Sequence, residues 1–179
     1  MSLPATDDGC GMAALRPACL DFQALVRSSR VPSLDTVVET TLPPDRVRAA
    51  LLDFSERRPE IWPGITASLY EAYTVGETSA EVKEGTRLPF GAVWARERYD
   101  WSDPNTIRWT VIDSNFSTPG SFVSATLEPK DGGTRVKIHW QREGTRLIHK
   151  LMMRMMVATK GKPIAQSFEK GLRKLENQR

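Results

Sequence analysis

Between residues 67 and 142, apolar and polar side chains alternate with a period of two, in six blocks at 67–75, 80–84, 92–101, 106–114, 121–128 and 135–142. Alternation of this kind marks half-buried strands. Turn residues part the blocks: Gly76-Glu77, Gly85, Asp103-Pro104-Asn105, Thr118-Pro119-Gly120 and Asp131-Gly132-Gly133. Links this short make consecutive strands antiparallel neighbours. A seventh strand precedes them in the β-branched run 36–41, stopped by Pro43-Pro44-Asp45. Proline cannot donate to a ladder but suits the first turn of a helix. Val47, Ala50, Leu51 and Phe54 then follow at helical spacing, which predicts a short helix over 44–53. A second helical turn at 59–64 is closed by Pro63-Gly64.

After residue 145 the period is helical again. Leu147, Ile148, Leu151, Met152, Met155 and Met156 form an i, i+3, i+4 stripe, with Arg146, Lys150 and Arg154 on the other face. Gly161 and Pro163 predict a break or kink, beyond which Ile164, Phe168, Leu172 and Leu175 continue the stripe. The fold class is therefore α+β. A curved antiparallel sheet of about seven strands wraps a long C-terminal helix, with two short helices after the first strand. Residues 35–179 make the domain. Residues 1–34, interrupted by Pro4, Pro17 and Pro32, read as a poorly ordered extension with room for a short helix over 20–26.

A chain of 179 residues with 40% apolar and 26% charged side chains can build a core without staples, which excludes collagen, disulfide scaffolds and disordered chains. No run is long and apolar enough to span a membrane. Cys10 and Cys19 have no histidine nearby, so they are read as reduced thiols rather than zinc ligands. Asp7 and Asp8 stand where a secretory leader carries cations, so a cytoplasmic location is expected. Net charge is +3, but residues 145–179 hold nine Lys or Arg against Glu169 and Glu176. A solvated helix face explains this bias. The alternative is weak contact with anionic membranes through Arg146, Lys150 and Arg154. Nucleic-acid binding is not expected, because no exposed aromatics interleave with the cations.

Several motifs together carry a resemblance. They are L-P-P-D-R-V at 42–47, Phe54, W-P-G at 62–64, E-G-T at 84–86, Y-D-W-S-D-P-N at 99–105 with Trp109 after it, and the closing helix with L-R-K-L-E. On these and on the order of elements, residues 35–177 resemble the START-like (SRPBCC, birch-pollen-allergen-like) superfamily, and within it the polyketide cyclase/dehydrase and lipid-transport branch. The resemblance implies a helix-grip fold and a hydrophobic ligand held between sheet and helix. It supplies no shared catalytic residue, and the superfamily includes both enzymes and binding proteins.

Alternation assigns the faces of the sheet. Tyr99, Trp101, Ile107, Trp109, Val111, Val136, Ile138 and Trp140 point inward. Arg96, Arg98, Arg108, Arg135, Lys137 and His139 point to water, as does Trp94. The opposite register would bury several cations. The expected ligand contacts are Tyr99, Trp101, Trp109, Val111, Ile138, Trp140, Leu151, Met152 and Met155, with Glu97 and Arg142 as polar members. Glu97, with Asp113 beside it, is the candidate acid or base of a cyclase or dehydrase. His139 and His149 lack a partnered cleft position, and no nucleotide, metal or nucleophile motif occurs, so no cofactor or metal is expected. Three functions stay open: sequestration of a lipid or polyketide-like molecule, acid–base catalysis on one, and peripheral lipid transfer.

Overall fold

The computed structural model describes residues 31–89 and 91–178. Seven antiparallel strands form one curved sheet in the order β1-β7-β6-β5-β4-β3-β2. The strands are β1 (Ser33–Thr40), β2 (Glu71–Val75), β3 (Ser79–Leu88), β4 (Gly91–Asp100), β5 (Thr106–Ser114), β6 (Phe122–Lys130) and β7 (Gly133–Gln141). β1 and β2 lie at opposite edges, so the segment between them must cross the width of the sheet. It does so with helix α1 (Pro44–Leu51), helix α2 (Arg58–Ile61) and a 3₁₀ turn at Ala67–Leu69.

Register places one apolar set on the inner face. Leu34 pairs with Trp140, Val38 with Val136, Trp140 with Val123, Ile138 with Ala125, and Tyr99 with Trp109. All of these are buried. The outer face is a lattice of ion pairs, including Lys130 and Arg135 on Glu39, Lys137 on Glu128, and Arg96 on Glu81. Trp94 lies on this outer face, with the Lys83 ammonium 4.8 Å from its ring centre.

Two expectations about the strands need correction. The first predicted strand of the meander, 67–75, is regular only from Glu71; Ala67–Leu69 turns instead, and β2 is an exposed edge. Gly85 is not a turn but the middle of β3. A Cβ there would lie 2.8 Å from the Val93 carbonyl and 2.9 Å from Leu69 Cβ, so only glycine lets the strand pass beneath them. The break expected at Gly161 and Pro163 is present, and it divides the C-terminal helical stretch into two helices, α3 (Leu147–Ala158) and α4 (Lys162–Glu176). Lys160 and Gly161 both adopt left-handed backbone (φ 52° and 69°) between them, where a Gly161 Cβ would meet Leu34.

The gripped helix is α4 alone. Leu172 is buried, and Ile164, Phe168 and Leu175 pack on the core. Gly171 lets α4 approach Trp62, whose ring atom Cε3 lies 2.5 Å from where a Cβ would stand. On α3 only Met153 is buried; Met152 and Met156 are half-buried, while Leu151 and Met155 are exposed. The predicted phase of this helix is therefore off. Nearly every position from 151 to 157 is apolar, and periodicity alone cannot choose which arc docks.

Candidate functional site

A cavity of about 220 Å³ opens between the sheet and α4. Leu51 comes from α1, Arg58 and Trp62 from α2 and its end, Gly64 and Ile65 from the turn after it. Glu84, Tyr99 and Trp109 come from β3, β4 and β5, and Ser167 and Phe168 from α4. Its walls are aromatic. Trp109 stacks on Tyr99 (5.3 Å between ring centres, 11° between planes) and on Phe168 (6.4 Å, 21°), and Phe168 packs against Trp62 at 5.5 Å. The Trp62 indole N–H donates to the Ala50 carbonyl at 3.1 Å, so its ring presents only an apolar surface.

One end of the cavity is polar. Arg58 is buried and meets Glu84 Oε1 at 2.5 Å through Nε. Its Nη1 donates to the Leu51 and Asp53 carbonyls at 2.9 and 3.1 Å, and its Nη2 to the Tyr99 hydroxyl at 3.0 Å. The guanidinium also lies over the Phe54 and Tyr99 rings, at 4.8 and 5.2 Å. Burial works against its charge, but Glu84 and Tyr99 more than offset this, so its pKa is raised and it stays a cation. The Tyr99 hydroxyl contacts both Glu84 oxygens at 3.3 Å. Burial and then Glu84 push its pKa well above the usual phenol range. Tyr70, half-buried outside the lining, donates to the Phe54 carbonyl at 2.7 Å, and burial pushes its phenol up to about 12. Arg58 occupies Oε1, whereas among the described residues Glu84 Oε2 has only the long Tyr99 contact, and the Glu84 side chain lines the cavity.

The residues expected at the site divide. Tyr99 and Trp109 line the cavity. Val111, Ile138 and Trp140 are buried on the same face but belong to the core beside it. Trp101 is half-buried, stacked on Phe54 at 5.6 Å with its N–H on the Glu77 carbonyl, and does not line the cavity. Glu97 and Arg142 form a buried ion pair with each other and are not among the lining residues, although Glu97 lies within electrostatic reach of Glu84 and Arg58. Burial raises the Glu97 carboxyl, and Arg142 only partly opposes it. Asp113 is exposed and accepts from the Ser114 amide, because a bulge between Arg96 and Glu97 shifts the β4–β5 register there. Met152 packs on the core, whereas Leu151 and Met155 point to solvent. His139 meets Asp35 on the outer face, and His149 meets Thr145. Among the described residues no three His, Cys, Asp or Glu side chains gather to hold a metal.

Among the lining residues that sequence reasoning did not place at the site, Arg58, Glu84, Trp62 and Phe168 shape its chemistry most. For Glu84 a signal existed. Ala80, Val82 and Glu84 share one face at spacing two, but Gly85 suggested a turn and cut the strand short. For Arg58 none existed, since nothing in its helical turn marks it as inward.

The family description "Polyketide cyclase / dehydrase and lipid transport" matches residues 31–178. The chain belongs to that family. Solved structures share the START-like fold of this family member. TTHA0849 from Thermus thermophilus aligns with a TM-score of 0.64 at 20% identity, covering 79% of this chain and 94% of that one. Zhui aromatase/cyclase from a Streptomyces species gives 0.63 at 12% identity, covering 76% and 90%. A START superfamily protein from Mycobacterium smegmatis gives 0.63 at 12%, covering 80% and 98%. At these identities the likeness is one of fold. No curated protein sequence matches the chain.

Proposed function

We propose that this family member binds a small apolar or aromatic molecule bearing one hydrogen-bond donor in the cavity between sheet and α4. The observation that carries the reading is the contrast within the cavity. Trp62, Trp109 and Phe168 offer flat apolar walls, and the Glu84 carboxylate that lines the polar end offers an acceptor. A ring system that loses on the order of 200 Å² of apolar surface there gains roughly 5 kcal/mol before the cost of immobilisation. Acid–base catalysis would need a carboxylate free to exchange a proton at the wall. Glu84 is held by Arg58 and Glu97 by Arg142, so sequestration is the better-supported reading.

The uncharged probe N-phenylnaphthylamine, which brightens in apolar surroundings and carries one N–H, tests this. Ser167→Phe puts a ring into the cavity from α4. The native chain is expected to bind the probe with a dissociation constant on the order of micromolar, and Ser167→Phe at least about tenfold more weakly, at unchanged thermal stability. Equal affinity in the two proteins would place the probe elsewhere and remove the support for this site.

A further inference from the structure

Helix α3 packs Met152, Met153 and Met156 on the core, but a second apolar arc of it is exposed, with no cover among the described residues. Leu147 is 84% exposed, Ile148 65%, Leu151 54% and Met155 60%. Residues three and four apart share a helix face, so these four make one continuous stripe. Along one edge of it run Arg146, Lys150 and Arg154, all exposed. From residue 145 to 168 the chain carries five Lys or Arg and no Asp or Glu. Among the described residues, no carboxylate pairs with any of the five.

Scattered exposed apolar side chains are ordinary, but a contiguous aliphatic stripe is an interaction surface. Its chemistry favours a lipid surface over a protein. Protein hot spots are built on Trp, Tyr and Arg in pockets, with Leu under-represented, whereas this stripe is flat and made of Leu, Ile and Met. A helix with an aliphatic arc bordered by cations is the form that lies in a bilayer interface, and the long cationic side chains can reach headgroup phosphates from its edge. We propose that α3 docks this protein on anionic lipid bilayers. Leu147, Ile148, Leu151 and Met155 enter the acyl boundary, and Lys150 and Arg154 meet the lipid phosphates. The docking stands on the helix surface alone and does not depend on what the cavity holds.

Co-sedimentation of the full chain tests it, with vesicles of phosphatidylcholine alone or with about one third phosphatidylglycerol. Binding is expected on the anionic vesicles, weakened but not abolished by high salt. Lys150→Gln and Arg154→Gln should each weaken it roughly fivefold. The combined L147S/I148S/L151S/M155S variant should weaken it at least about tenfold, with its circular-dichroism melt unchanged. Absence of binding to anionic vesicles overturns the proposal. So does undiminished binding by the serine variant, which would leave charge alone as the cause. A native dimer that becomes monomeric in the serine variant, without vesicle binding, would assign the stripe to a second copy instead.

Discussion

Taking a guanidinium out of water costs several kcal/mol unless its donors are met, and Arg58 meets a carboxylate, two carbonyls and a phenol at once. Each partner depends on the others, since Glu84 without Arg58 would be a carboxylate in an aromatic cavity. Arg58→Met is expected to cost about 3–5 kcal/mol, and Glu84→Gln a similar amount, because each leaves one buried charge unanswered. The double variant should cost clearly less than the sum. Urea midpoints for the four proteins measure this cycle, and additive losses would show that the two side chains do not act as a pair. At this scale the sequence is only half legible. Inward aromatics such as Tyr99 and Trp109 follow from alternation, as does the buried Glu97. Whether a buried charge faces a ligand or a neighbouring side chain depends on what lies across the cavity, and Arg142, 45 residues away, claims Glu97.

At the scale of elements, the packing of α4 on the crossing segment decides whether the cavity exists. At Gly171 the two come close. Replacing glycine inside a helix by alanine ordinarily adds about 0.5–1 kcal/mol of stability. Here the new Cβ would stand 2.5–2.7 Å from the Trp62 ring, and Trp62 is braced by Phe168 and by its bond to Ala50. Gly171→Ala is therefore expected to lose about 1–3 kcal/mol and to weaken probe binding, because a cavity wall must move. A rise in melting temperature would show that α4 has room to shift. The antiparallel succession of the six later strands, the two crossing helices and the break near Gly161 are legible, because period-two alternation and Gly/Pro punctuation act locally, whereas the pairing of β1 with β7 is not. The docking side of α3 and the continuation of β3 through Gly85 were not. Both depend on a distant neighbour: the body of the protein for Met153, and Leu69 with Trp94 for Gly85.

Over the whole molecule, the ionisable groups set a window of stability. Glu39 beside Lys130 and Arg135 and Asp100 beside Ser102 titrate below their ordinary range. Asp53 does too, despite its partial burial, through bonds from Ser55. A lowered folded pKa gives stability that is present above the ordinary carboxylate range and is lost as pH falls through the folded value. Glu97 acts in the opposite sense, because its folded pKa is raised by burial. The contribution of a raised group is full below its unfolded pKa and disappears as pH rises through the folded one. Tyr99 and Tyr70 are likewise raised, chiefly by burial, and Tyr73, the third tyrosine of the chain, is raised too although it is exposed. The folded protein should therefore show well under half of its tyrosinate absorbance at about pH 10, where free phenols are half ionised, and should lose stability from there upward. Half-ionisation at that pH in the folded state would contradict the buried position of Tyr99 and the half-buried one of Tyr70. The central claim is that the aromatic cavity holds a small apolar molecule. Its most direct test is to purify the protein gently from its own cells, extract it with organic solvent and weigh the extract by mass spectrometry beside Ser167→Phe. A low-mass apolar compound in near-equimolar amount from the native chain and absent from Ser167→Phe is the predicted result. The same compound recovered equally from both, or none from the native protein, would contradict it.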